Sequence, residues 1–194
     1  MPRGIGFSRE EVLDAAMHVF WTKGYQATSM LDLETATGLK PGSLYNSFVS
    51  KKGLFLEVID HYRSSMVGMR IATVLNQGRP LDGIEAFFRT TYDAFEPHQL
   101  VGCLLTNTAT EIGNDDAVIQ DRIAGGLQMI EEAFRHRIEE AQKQGDFPKD
   151  RNAADVALHL TSCYQGLCVV GRLSRDKNRL KVIADQALAS LSLQ

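Results

Sequence analysis

Between Lys40 and Lys52 the chain reads KPGSLYNSFVSKK, and here its side chains offer the most chemistry to a partner. Pro41 stands where a helix begins, the position that tolerates a missing N–H. Leu44 and Phe48, four residues apart, give that short helix one apolar face. Lys40, Ser43, Tyr45, Asn46 and Ser47 are thereby turned outward, a set of hydrogen-bonding groups with one cation among them. Ser50 then caps a second helix whose first residues are Lys51 and Lys52. Cations in a first helical turn oppose the helix dipole by about 0.3–1 kcal/mol each, and a nearby phosphate reverses that sign. A short helix with polar side chains outside and lysines beside it suits base edges in a major groove and the phosphates that flank it.

The residues before this stretch supply the element that must hold it. Ser29 caps a helix over Met30–Thr35 with Met30, Leu33 and Ala36 on one side, and Gly38 turns the chain before Leu39. Helix, short glycine turn and second helix is the helix-turn-helix order. Thr28-Ser29, Leu33, Ala36, Gly38, the run Gly42-Ser43-Leu44-Tyr45, Phe48 and Ser50-Lys51-Lys52 together resemble the DNA-binding domain of the tetracycline-repressor (TetR) family, over about the first 60 residues. Two positions depart from the family pattern. Glu34 replaces a small residue, and Gly53 replaces the acidic residue that closes a capping box with Ser50. The resemblance implies that Tyr45 and Lys51 lie on phosphates, with Lys52 adding another contact. Ser29 belongs to the same expected DNA-binding set, while Lys40, Ser43, Asn46 and Ser47 reach toward bases.

The chain has 194 residues, a hydrophobic fraction of 44% and a formal net charge of -3, so it carries no overall basic coat. Residues 1–63 hold seven Lys/Arg and seven Asp/Glu, yet residues 35–56 contain Lys40, Lys51 and Lys52 and no acid. The positive patch is therefore local. Three cysteines, at 103, 163 and 168, make no disulfide framework, which suits a reducing cytoplasm. No signal pattern or membrane-length apolar run is present. The five histidines are scattered without metal-ligand spacing, and no phosphate-binding glycine loop follows a strand. Catalytic residues, metals and cofactors are not expected, and neither is a membrane partner.

Taken in order, the chain reads as helices throughout, so the expected class is all-α. An N-terminal arm, Met1 to Gly6, carries Arg3. A capping box at Ser8-Arg9-Glu10-Glu11, with a Phe7–Val12 staple, opens a first helix that stops at Gly24. The helix from Lys51 meets no strong breaker before Gly78, with Gly68 as a bend. It joins a three-helix DNA-binding domain, residues 1–63, to a larger helical effector-binding and dimerisation domain, residues 64–194. Further helices start at Pro80, ended by Pro97, and at Cys103. Another starts at Asp115 after an Asn114 cap, with Gly125-Gly126 as a weak point, and the last two start at Arg151 and Lys177.

Phe88, Tyr92, Phe95, Cys103, Asn107, Thr108, Glu111, Met129, Phe134, His159 and Tyr164 are candidate walls for a small-molecule effector, being apolar surfaces with a few polar groups. Cys103, at a helix start, has two readings: a thiolate that senses electrophiles or oxidants, or a buried inert cysteine. Val156, Leu160, Cys163 and Leu167, with Ile183, Ala187 and Leu188, form apolar stripes on the last two helices. The resemblance implies that these helices pair two subunits in a four-helix bundle. The expected function is a ligand-responsive regulator, a repressor by family habit. It would bind a palindromic double-stranded operator as a homodimer and be released by a small-molecule effector. The alternative is a helical sensor or carrier without DNA binding.

Overall fold

The computed structural model describes residues 8–93, 102–112, 115–174 and 176–192, with the side chains of residues 92 and 93 set aside. Arg3, Phe7, Phe95, Pro97, Asn114 and the side chain of Tyr92 lie outside the described residues. The described residues form helices and no strand.

Helix α1 (Arg9–Lys23) starts at a complete capping box, in which Ser8 Oγ accepts from the Glu11 N–H and Glu11 Oε2 accepts from the Ser8 N–H. It buries Val12, Ala16 and Phe20. Helix α2 (Met30–Thr37) opens on a second capping box, Ser29 with Asp32, and ends at Gly38 in the left-handed region. It runs two residues longer than the Met30–Thr35 read from sequence. Helix α3 (Pro41–Phe48) has Pro41 in its first turn and buries Leu44 and Phe48, as the spacing predicts. Phe20, Tyr25 and Phe55 fill the space among these helices with ring centroids 4.7–6.1 Å apart.

Helix α4 (Lys51–Tyr62) continues without a break through wider π-type turns over Arg63–Gly68 and Ile71–Leu75. The widening begins where Ser64 Oγ and Ser65 Oγ bond the carbonyls of Asp60 and His61. Such back-bonding pulls carbonyls out of the helical ladder. The division expected at residues 63 and 64 thus falls inside a helical rod.

Five further helices complete the described chain: α5 (Pro80–Asp93), α6 (Leu104–Ile112), α7 (Ala117–Gln144), α8 (Ala153–Leu173) and α9 (Lys177–Ala189). Helix α7 is capped by Asp116, α8 by Asn152 and α9 by Asp176. Helix α7 pairs with α8, α8 with α9, and α5 packs on α7 and α9. Their shared centre is aromatic: Phe87 lies 5.4 Å from Phe134 and 5.2 Å from Tyr164, and Phe88 stacks on Phe134 at 5.9 Å.

Gly125-Gly126 is not a weak point. The helix runs through it, and a Cβ on Gly126 would stand 2.7 Å from Leu105 Cδ1 and 3.2 Å from Arg63 Cγ. The glycines let α6 and the α4 rod approach α7. Among the described residues no helix is long and apolar enough to cross a membrane.

Candidate nucleic-acid interface

Helix α3 is held by two buried side chains, Leu44 and Phe48, and everything else on it is open. Lys40, Ser43, Tyr45, Asn46 and Ser47 are all exposed. Among the described residues none of these five side chains is hydrogen-bonded or ion-paired. The fold therefore presents five polar groups on one short helix and leaves them unused.

The exit of α3 is strained. Val49 has φ 65° and ψ -41°, and the Ser50 N–H donates to the Phe48 carbonyl at 2.7 Å, closing a γ-turn. A β-branched residue in this region costs of order 1–3 kcal/mol. Val49 is also 81% exposed, so its side chain does not compensate by burial. The turn explains Gly53. A Cβ there would lie 2.1 Å from the Phe48 carbonyl oxygen, so no acidic residue can stand at that position to close a capping box. Ser50 instead caps α4 alone, accepting from the Gly53 N–H at 3.0 Å.

Three members of the expected DNA-binding set are engaged within the protein. The Lys51 ammonium donates to the carbonyls of Thr28 at 2.6 Å and Gln26 at 3.3 Å, and lies 4.7 Å over the Tyr25 ring. Lys52 pairs with Asp116 at 2.7 Å. Within the protein, these partners offset the unfavourable dipole of α4. Ser29 Oγ is used in the α2 cap, accepting from the Asp32 N–H and donating to Asp32 Oδ2. Of the lysines between residues 35 and 56, Lys40 alone has no partner among the described residues.

The expected pocket residues fall into three groups. Phe88, Phe134 and Tyr164 meet in the aromatic centre, together with Phe87, which is not among the expected pocket residues. Thr108 is buried, and Cys103 is buried at the start of α6 with its sulfur accepting from the Tyr62 hydroxyl at 3.6 Å. Asn107 is half-buried beside Gly102. The other three lie elsewhere. Met129 lines an open groove of about 560 Å³ with Ile71, Asn76, Glu132 and His136. His159 is exposed on α8, 3.7 Å from Cys163. Glu111 reaches the turn between α1 and α2.

The expected dimer stripe also needs correction. Leu160 and Leu167 are completely buried, and Val156 and Ala187 nearly so, because α8 turns this stripe onto α7 and α9 of its own protomer. Cys163, Ile183 and Leu188 are half-buried. The outward stripe of α8 is a different one: Leu158, Ser162, Gly166, Val169 and Leu173, joined on α9 by Val182. Spacing predicts an apolar stripe but not that α8 has two.

With this geometry in place, the likeness to known proteins is informative. The family model for bacterial regulatory proteins of the tetR family matches residues 12–58. That for the tetracyclin repressor-like C-terminal domain matches residues 80–187. The transcriptional repressor ComR of Escherichia coli strain K12 is 29% identical over 184 residues, covering 94% of this chain and 88% of ComR. The uncharacterized regulator YezE of Bacillus subtilis strain 168 is 26% identical over 193 residues, covering 98% of this chain and all of YezE. Among solved structures, a cysteine mutant of the regulator CifR complexed with a 26-bp double-strand operator DNA aligns with a TM-score of 0.88 at 27% identity. That alignment covers 98% of this chain and 100% of CifR.

Proposed function

The chain belongs to the TetR family of bacterial regulatory proteins, and on that footing we propose that it is a transcriptional repressor that binds a palindromic double-stranded operator as a homodimer and is released by a small-molecule effector. The observation that carries this reading is the open face of α3, where Lys40, Ser43, Tyr45, Asn46 and Ser47 are exposed and unpartnered among the described residues. In this reading α3 enters the major groove. Ser43, Asn46 and Ser47 meet base edges and Tyr45 meets a phosphate, while Lys40, expected from sequence to reach toward bases, is assigned to a phosphate as the cation unpaired among the described residues. The aromatic centre of Phe87, Phe88, Phe134 and Tyr164 is the wall against which an apolar effector binds. The protein works where the chromosome is, in the bacterial cytoplasm.

Selection of duplexes from a random library, followed by titration at several salt concentrations, tests the reading. Asn46→Ala is expected to relax preference at particular base pairs by about 1–3 kcal/mol and leave the salt slope unchanged. Lys40→Ala is expected to weaken all sequences alike and flatten the slope by about 0.9 per lost phosphate contact in each subunit. A wild-type protein that enriches no sequence and shows no salt-dependent binding refutes the reading, leaving a helical sensor or carrier.

A further inference from the structure

Glu111 stands in the last turn of α6, where the negative end of the helix dipole disfavours a carboxylate. Its own helix gives no reason for an acid at this position. The carboxylate instead crosses to the DNA-binding helices and accepts two successive backbone N–H groups of the α1–α2 turn. Oε2 takes Tyr25 at 2.9 Å, and Oε1 takes Gln26 at 2.7 Å. Both oxygens are used, and the two bonds fix the carboxylate plane against the turn. Gly24 leaves the room: with φ 87°, a Cβ on it would lie 2.8 and 2.9 Å from the same two oxygens.

The carbonyl side of that turn is held by Lys51, which bonds Gln26 and Thr28 and covers the Tyr25 ring. Lys51 is likewise misplaced for its own helix, at the positive end of α4. Two charges that oppose their own helix dipoles thus converge on one turn, an anion on its N–H groups and a cation on its C=O groups. Burial lowers the pKa of Lys51, and the charge of Glu111 opposes that effect. Immediately after the turn come Thr28, which is buried, and Ser29, which starts α2. Helix α6 is tied at its other end as well, where the Trp21 indole N–H donates to the Gly102 carbonyl at 3.1 Å.

We infer that Glu111 is a positioning residue for operator binding: its carboxylate sets the α1–α2 turn, and through it the angle at which α2 and α3 meet DNA. The inference rests on the regulator reading above and assigns part of that function to a residue in the C-terminal domain that touches no nucleic acid. Charge-assisted bonds of this kind exceed ordinary ones in strength, and no neutral side chain of the same size replaces both. In E111Q one amide oxygen remains as an acceptor while the amide N–H₂ faces a backbone N–H.

The test uses full-length wild-type, E111Q and E111A proteins on a duplex selected in vitro with the wild type. Affinity is measured well below each melting temperature, on protein shown folded by circular dichroism. E111Q is expected to bind about ten-fold more weakly with the salt slope unchanged. Amide exchange at Tyr25 and Gln26 is expected to be faster in E111Q while the α7 and α8 amides stay protected. A role in stability alone would lower the melting temperature and leave the affinity of folded protein intact, and that result overturns the inference. Should E111A fail to fold, E111Q carries the test. In the wild type itself, fast exchange of the Tyr25 and Gln26 amides also overturns it. A wild type that selects no duplex overturns the regulator reading and this inference with it. Equal binding by wild type and E111Q overturns the inference alone.

Discussion

Lys51 and Lys52 oppose the dipole of α4, and the groups that compensate them lie inside the protein. For Lys51 these are two carbonyls and an aromatic ring, for Lys52 the Asp116 carboxylate. Lys51→Ala is therefore expected to destabilise the N-terminal helices by about 1–3 kcal/mol, the scale of hydrogen bonds to a charged group. It should lower operator affinity without flattening the salt dependence. Thermal denaturation together with salt titration checks this, and a slope that falls by about 0.9 per subunit would return Lys51 to the phosphates. The side chains that face outward on α3 were legible in sequence because Leu44 and Phe48 sit four apart and fix the helix's orientation by themselves. The partners of Lys51 and Lys52 were not. Gln26, Thr28 and Asp116 are distant in sequence, and only the packing of α1, α4 and α7 brings them near.

The helices themselves were readable at most ends that a cap or a glycine marks, although α7 is capped by Asp116 and not by the Asn114 read from sequence. Ser8, Ser29, Pro41 and Ser50 all start helices, and Gly24 and Gly38 end them. Glycines inside helices carried a different meaning that the sequence left open. Gly126 admits Leu105 and Arg63, and Gly53 admits the carbonyl of Phe48, so each records a neighbour rather than flexibility. The Gly53 contact is with backbone, which cannot swing aside as a side chain does. Gly53→Ala should accordingly destabilise the protein by about 1–3 kcal/mol, although alanine is the better helix former. A melting curve for G53A above that of the wild type would show that the α3–α4 junction relaxes freely and that the γ-turn at Val49 is dispensable.

Across the whole molecule, the rod from Lys51 to Leu75 and the clasp of α6 join the reading head to a body with two apolar faces on α8. One face, Val156, Leu160, Tyr164 and Leu167, is sealed inside the protomer. The other, Leu158, Ser162, Gly166, Val169 and Leu173, faces outward, with Leu158 at 54% and Leu173 at 82% exposure. Its residues recur at helical spacing, and Ser162 and Gly166 are small enough to let a second helix approach closely. A Cβ at Gly166 would meet nothing within 4 Å in the single chain. If this second face joins two copies, charges placed on the two faces must act differently. Leu160→Glu buries an unpaired carboxylate in the protomer and should unfold it. Val169→Glu leaves the protomer folded and should leave it monomeric, because two new carboxylates then oppose each other across the interface. The monomer should bind an operator half-site far more weakly, since one subunit reaches only one of two successive major grooves. Light scattering for mass and circular dichroism for folding separate the outcomes. A folded, dimeric Val169→Glu protein would move the interface off this stripe, and a folded Leu160→Glu protein would mean that α8 can turn its inner face outward.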